Sequence, residues 1–154
     1  MSSLEKATPN KQLIADLTPK RRRIYQLLCD ADKPLSAYEL LSIYNDCVNK
    51  SIHAMSVYRI LGYLKSVNLI VHLHSVNKYI AATDAFTTQT HVLMYLTCQH
   101  CCDVQRIHLA NPSAMGIEYQ IAQLGYQLFN HSIEVPVLCN HCSAGANYSS
   151  IQEN

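Results

Sequence analysis

Two stretches decide how the chain is read: Thr97-Cys98-Gln99-His100-Cys101-Cys102-Asp103 and Leu138-Cys139-Asn140-His141-Cys142-Ser143. Each holds two cysteines separated by two residues, Cys98 with Cys101 and Cys139 with Cys142, and thirty-seven residues lie between the pairs. That spacing lets both sulfurs of a pair reach one ion. Two such pairs supply the four thiolates of a closed tetrahedral zinc site. The expectation is one structural Zn2+ per chain, held by Cys98, Cys101, Cys139 and Cys142 and tying two distant segments into a small domain. The plainer readings are a set of buried thiols or an exposed redox pair, and the repeated spacing favours zinc over both. His100 and His141 fill the third place of each pair, which leaves a mixed Cys/His set open as a variant.

Around those pairs the composition is that of a folded, water-soluble chain. Its 154 residues make one domain or two small ones; 49% are hydrophobic and 15% charged, which argues against disorder. Seven cysteines are an odd number for a disulfide framework. Residues 1–11 are polar and do not read as an export signal, and no apolar run reaches the length of a membrane span. The chain is expected to be cytoplasmic, with reduced thiols and no membrane partner. Charge is uneven: residues 1–80 hold eleven Lys/Arg against six acids, a net +5, while residues 81–154 hold Arg106 against five acids, a net −4. A polyanion is therefore expected to meet the first half only. An enzyme is not expected. Four thiolates leave a metal no open position, and neither a Ser/His/Asp set nor paired carboxylates stand out. With four glycines there is no phosphate-binding loop, and no small organic cofactor is expected.

The basic half reads as three helices and a hairpin. Residues 1–16 form an arm or a short helix. Thr18 and Pro19 start the first firm helix, with Ile24, Leu27, Leu28 and Ala31 at helical spacing. Lys20, Arg21, Arg22 and Arg23 crowd its first turn, where the helix dipole disfavours cations. The arrangement suits a nearby phosphate, or a solvated basic face. Ser36 and Glu39 form a capping box for a second helix whose buried stripe is Ala37, Leu40, Leu41 and Tyr44. A third helix, from about Ile52 to Val67, buries Val57, Ile60 or Leu61, and Leu64, and points Tyr58, Arg59 and Ser56 elsewhere. Gly62 lies mid-helix without evident cause. Leu69–His74 and Lys78–Ala82, joined by Ser75-Val76-Asn77, read as a hairpin. Three helices and a hairpin give a winged helix-turn-helix, with its third helix suited to a DNA major groove; a protein-binding module is the other reading, and the basic bias favours DNA.

Residues 83–90 read as a hinge. Beyond it come strands at Val92–Thr97 and Val104–Leu109, then a helix starting at Asn111-Pro112 with Ile117, Ile121 and Leu124 on one side and Gly125 at its end. An extended stretch, Tyr126–Leu138, follows, with Pro136 marking an edge or strand end. Such a layer is too thin to cover both faces, so pairing with a second copy is expected. The fold class is α+β: a winged-helix DNA-binding domain over 1–82, then a zinc-bound α/β dimerisation domain over 91–146 and a polar tail at 147–154. Cys29 and Cys47 read as helix-packing residues, and Cys102 as a spare ligand or an inert thiol.

In this order the chain resembles the ferric uptake regulator (Fur) family from about Leu17 to Ser143. The resemblance is carried by Leu17-Thr18-Pro19-Lys20-Arg21, Leu35-Ser36-Ala37-Tyr38-Glu39-Leu40-Leu41, Ser56-Val57-Tyr58-Arg59-Ile60-Leu61, Asn77-Lys78-Tyr79 and Asn130-His131-Ser132-Ile133. The Ser-Ala-Tyr-acid-Leu-Leu stretch and the lack of a His-rich run look most like its zinc uptake regulator (Zur) branch. The resemblance implies a homodimeric, metal-dependent repressor on a pseudo-palindromic double-stranded operator, regulating metal uptake genes. It places Tyr58 and Arg59 on the DNA, with Lys20 and Arg21 adding backbone contacts and Ser56 beside them. A zinc-ribbon adaptor that binds protein alone is the competing class.

The resemblance also implies a second, regulatory Zn2+ between the domains. Of its four expected ligands only His91 is present; Val71, Ala82 and Arg106 fill the other three places. A cation at the last of these would repel zinc. Substitutes are at hand in His72 and His74 on the wing, Asp84 after the lost hinge ligand, His108 on the strand of Arg106, and His131, which matches a metal-site histidine of iron-sensing relatives. The alternative is a relative that has lost or altered zinc sensing, a constitutive, redox-responsive or other-ligand-responsive DNA binder.

Overall fold

Pro19 opens the first long helix because its missing N–H costs nothing at a helix start and its φ is already helical. The computed structural model describes residues 11–48, 51–82, 92–109, 111–127 and 132–144. Most of the arm, the hinge and the tail lie outside these residues, as do Asp84, His91 and His131. The chain forms two units, Met1–Thr87 and Thr88–Asn154. Among the described residues no helix is long and apolar enough to cross a membrane.

In the first unit a short α1 (Lys11–Ala15) precedes α2 (Pro19–Asp30), α3 (Ala37–Cys47) and α4 (Ala54–Ser66). Thr18 sits at the N-cap of α2, yet its side chain makes no capping bond. The turn before it is held from α2 instead: Arg22 Nη2 donates to the carbonyls of Ala15 at 2.6 Å and Leu17 at 3.2 Å. One member of the basic run is thus occupied in closing the end of α1. The buried stripe of α2 is Ile24, Tyr25 and Leu28, with Leu27 partly buried. Ala31 falls beyond the helix as its C-cap.

The capping box of α3 forms as its sequence dictates. The Ser36 hydroxyl accepts from the Glu39 N–H, and Glu39 accepts from the Ser36 N–H at 2.6 Å. α4 starts two residues later than its apolar pattern suggests, because Ile52 is held extended: its N–H donates to Asn45 Oδ1 at 2.8 Å and its carbonyl accepts from Asn45 Nδ2 at 3.2 Å. Val57, Ile60, Leu61 and Leu64 are all buried in a core shared with α2, α3 and the hairpin.

The hairpin pairs β1 (Ile70–Leu73) with β2 (Lys78–Ala81), Ile70 opposite Ala81 and Leu73 opposite Lys78. Asn77 takes a left-handed φ of 50°, the backbone asparagine tolerates in a turn. Leu35 adds an antiparallel bridge to Tyr79, and Lys78 pairs with Glu39 at 3.1 Å. The wing is therefore tied to the start of α3 by backbone and by charge.

The second unit carries β3 (Val92–Cys98), β4 (Val104–Leu109), α5 (Asn111–Gln123), β5 (Ser132–Val137) and a one-turn α6 (Asn140–Ser143). Its sheet runs β4-β3-β5, with β4 antiparallel and β5 parallel to β3. Pro136 falls on an edge strand, where a missing donor is tolerated. Gly125, with φ of 79°, ends α5, and the Tyr126 N–H returns to the Ile121 carbonyl at 3.1 Å. Leu124, expected to share a helix side with Ile117 and Ile121, lies past the last helical residue and is exposed. Ile107, Tyr119 and Tyr126 are exposed as well.

Replacing Ser36 with Ala should cost about 1 kcal/mol of stability, read by urea unfolding. Glu39 is held below its ordinary carboxylate range, first by the Ser36 backbone N–H, then by the Ser36 hydroxyl, with Lys78 adding to it. A depressed folded-state pKa stabilises the fold at neutral pH and loses that effect as pH falls through it. The deficit of Glu39→Gln should accordingly close as unfolding is repeated at increasingly acid pH.

Candidate metal centre and nucleic-acid interface

Parallel pairing brings the two cysteine pairs together. β3 and β5 run in the same direction, with Cys98 opposite Val137, so the segments that leave them emerge at the same end of the sheet. Cys98 is the last residue of β3, and Cys139 caps the turn of α6 just after β5. The first knuckle is closed by Cys98 N–H to the Asp103 carbonyl at 2.9 Å and Cys102 N–H to the Cys98 carbonyl at 3.0 Å. Cys102 adopts a left-handed φ of 58° there. The second closes by Cys142 N–H to the Cys139 carbonyl at 3.0 Å. Gln99 N–H to the Val137 carbonyl at 2.9 Å stitches the two segments.

The ligand atoms of Cys98, Cys101, Cys139 and Cys142 all lie within 4.8 Å of one another. Cys101 Sγ and Cys139 Sγ are 3.8 Å apart. A tetrahedron with metal–sulfur bonds of about 2.3 Å has edges of about 3.8 Å, so the four sulfurs stand close to the separation one ion would impose. Among the described residues no other group of three or more His, Cys, Asp or Glu ligand atoms converges in this way. Cys102, His100 and His141 stay out of the cluster, which leaves the donor set all sulfur.

The sulfurs are unequal. Backbone N–H groups of Cys101, Cys139 and His100 are aimed at Cys98 and pull its thiol down to about 6. Cys142 is pushed up to about 12, by its hydrogen bond with the Cys139 thiol, by burial and by the other two sulfurs. The Asp103 backbone N–H pulls Cys101 down, but the neighbouring Cys98 thiol and burial leave it raised overall. Four such groups cannot all carry charge beside one another; a divalent cation is what lets them.

In the first unit α4 presents its outer face. Tyr58 is 41% exposed, Arg59 is exposed and Ser56 is half-buried. Tyr58 stands near enough to Tyr79 of the wing to raise the latter's pKa, second to burial. Lys20 is exposed at the start of α2, and the Arg21 guanidinium lies 3.5 Å over the Tyr63 ring of α4. That stack couples the start of α2 to α4. Its partners are forty-two positions apart, so no local pattern announces it.

Of the expected sensing residues, His72 and His74 share the wing, and the side chains of the others lie outside the described residues. His72 stacks on Tyr79, 4.4 Å between centroids and 13° between planes, with its Nε2 3.1 Å from Asn77 Oδ1. His74 lies 4.2 Å from His72, ring to ring. These two share the wing with no third ligand converging on them among the described residues. His108 lies on β4 opposite Leu93, its side chain outside the description, and His91, Asp84 and His131 are outside it altogether.

Comparison with known proteins agrees with this architecture. A sequence model of the ferric uptake regulator family matches residues 15–136. The zinc uptake regulation protein of Escherichia coli (strain K12) is 28% identical over 130 residues, covering 82% of this chain and 72% of that protein. Among solved structures, a zinc uptake regulator complexed with zinc and DNA superposes with a TM-score of 0.66 at 24% identity, over 88% of this chain and 95% of that one. The holo form of XcZur gives 0.61 at 32% identity, over 83% and 86%.

Cys142→Ala should abolish tight metal retention through gel filtration, and Cys102→Ala should leave it intact, as read by elemental analysis of the purified protein. Because protons compete with the cation for sulfurs whose pKa is raised, retention should fall as pH is lowered.

Proposed function

The chain belongs to the ferric uptake regulator family, and we propose that it is a zinc-responsive transcriptional repressor that binds a pseudo-palindromic operator as a homodimer and regulates metal uptake genes. One observation carries this reading: a winged helix with Tyr58 and Arg59 on the outer face of α4 stands on the same chain as a four-sulfur cluster of tetrahedral dimensions. It is a regulator and not an enzyme, since four sulfurs would fill the coordination shell of the ion.

Cys98, Cys101, Cys139 and Cys142 hold one structural zinc per chain; the zinc-regulator relatives and the all-thiolate set favour zinc. Zinc supplies there a charge that neutralises the thiolates and a cross-link between two segments. The chain's own residues do the recognition. Arg59 donates two bonds to a guanine edge or a phosphate, and Tyr58 meets phosphate or a thymine methyl through its ring, with Ser56 beside them. Lys20 and Arg21 meet the backbone, Arg21 directed by its stack on Tyr63. Exposed Ile107, Tyr119, Leu124 and Tyr126 on a single-layer second unit support pairing with a second copy. A second, regulatory zinc would draw on His91 with substitutes from among His72 or His74, His108, Asp84 or His131.

The second reading, a family member with altered sensing, is favoured by Val71, Ala82 and Arg106 at three of the four places where the zinc branch carries ligands. The two readings separate on one measurement. A duplex selected by the wild-type protein from a random-sequence pool should bind more weakly once a chelator has removed labile zinc. Binding that ignores the chelator while the four-cysteine metal stays in place sinks zinc sensing and leaves the second reading.

Arg59→Ala should weaken binding to that duplex about tenfold or more, with metal content and oligomeric state unchanged. Removing Lys20 and Arg21 should instead flatten the salt dependence of binding, by about one unit of slope per lost phosphate contact. Intact affinity in Arg59→Ala would mean that the wrong face of α4 has been assigned.

A further inference from the structure

α4 contains a glycine that its own fold does not need. Gly62 sits in the interior of a thirteen-residue helix, where glycine is among the poorest helix formers. Inside a chain two features require glycine there: a left-handed backbone, or a neighbour so close that a Cβ would clash. Neither applies. Gly62 is not among the positive-φ residues, and a methyl built on it meets no atom within 4 Å.

Its position says what the bare backbone faces. Val57, Ile60, Leu61 and Leu64 form the buried stripe of α4. Met55, Tyr58, Arg59 and Gly62 recur at the i, i+3, i+4, i+7 spacing of the opposite stripe. Met55 is 66% exposed, Tyr58 41%, and Arg59 and Gly62 are exposed too. The glycine lies one turn beyond Arg59, on the line along which a ligand of Arg59 would continue.

We propose that Gly62 is a clearance position, a notch that lets the second half of α4 lie against the sugar–phosphate wall of a major groove while Met55, Tyr58 and Arg59 enter it. This rests on the duplex-binding reading above and adds how closely the helix seats. The tolerance is narrow: a helix with its side chains is about 10–12 Å across, and the groove is about 12 Å wide. Where the helix approaches the wall, one missing side chain decides whether backbone reaches backbone. Fold and partner then pull in opposite directions at this residue, since alanine suits the helix and glycine suits the groove.

The opposition is the test. In the full-length, metal-loaded protein, Gly62→Ala should raise the melting temperature by about 4 °C, the effect of replacing a helical glycine in a small unit. The same variant should bind the wild-type-selected duplex about tenfold more weakly, and Gly62→Leu more weakly again, as expected when atoms are forced into a filled contact. Arg59→Ala is measured beside them. If Gly62→Ala melts higher yet binds within twofold of wild type while Arg59→Ala is impaired, the clearance role is overturned and the duplex reading stands. If Arg59→Ala also binds normally, the wrong face of α4 has been assigned and the notch falls with that assignment; if the wild-type protein selects no duplex at all, the duplex reading falls first. A lower melting temperature for Gly62→Ala would place the need for glycine inside the fold and overturn the proposal equally.

Discussion

The pairing of β5 alongside β3, in the same direction, is the constraint on which the second unit depends. Antiparallel strands would send the segments after them to opposite ends of the sheet. Parallel ones deliver Cys98 and Cys139 to one end, and the crossover through β4 and α5 occupies most of the thirty-seven residues between the pairs. The cluster and the sheet reinforce each other: the Gln99–Val137 hydrogen bond continues the strand pairing into the knuckle, and the knuckle N–H groups converge on the Cys98 sulfur. A single three-stranded sheet buries little, and its described core is Leu93, Tyr95, Thr97 and Cys98. A metal cross-link suits such a unit because small cores fall short of what folding needs.

In the first unit, charge is divided by task. Of four consecutive basic residues, Arg22 reaches back to close the end of α1, Arg21 lies over an aromatic ring of α4, and Lys20 stays exposed. The dipole penalty at the start of α2 is thereby softened for two of them, which gain specific partners. Glu39 works similarly: one carboxylate completes a capping box and receives the wing lysine. The wing and the start of α3 are thus joined by an ion pair as well as by the Leu35–Tyr79 bridge.

What was legible in the sequence was what is encoded locally. The cysteine spacing, the capping box, the buried stripe of α4 and the turn at Asn77 each need only a few neighbouring residues, and each appears. What was not legible depends on residues far apart. Asn45 holds Ile52 extended and so delays α4; Leu35 bridges Tyr79; Arg22 reaches back to Ala15. Helical spacing groups Leu124 with Ile117 and Ile121, but the helix ends at Gln123, ahead of the left-handed Gly125, and leaves Leu124 outside it. Gly62 was visible as an oddity, but its reason lies outside the chain, so no pattern of buried residues accounts for it.

The chemistry of the cluster limits where any response to metal can arise. A four-sulfur shell saturates its ion, and an ion held by these four sulfurs would cross-link a unit with a thin core, so its loss would disrupt the body that has to report it. Reversible sensing calls for weaker ligands on parts that stay folded when the ion leaves. Nitrogen and oxygen donors meet that requirement, and on the wing His72 and His74 already sit ring to ring on a hairpin stabilised independently by Tyr79, Leu35 and the Lys78–Glu39 pair. Two imidazoles give direction without closing a shell, so a site built on them has to recruit its remaining ligands from elsewhere.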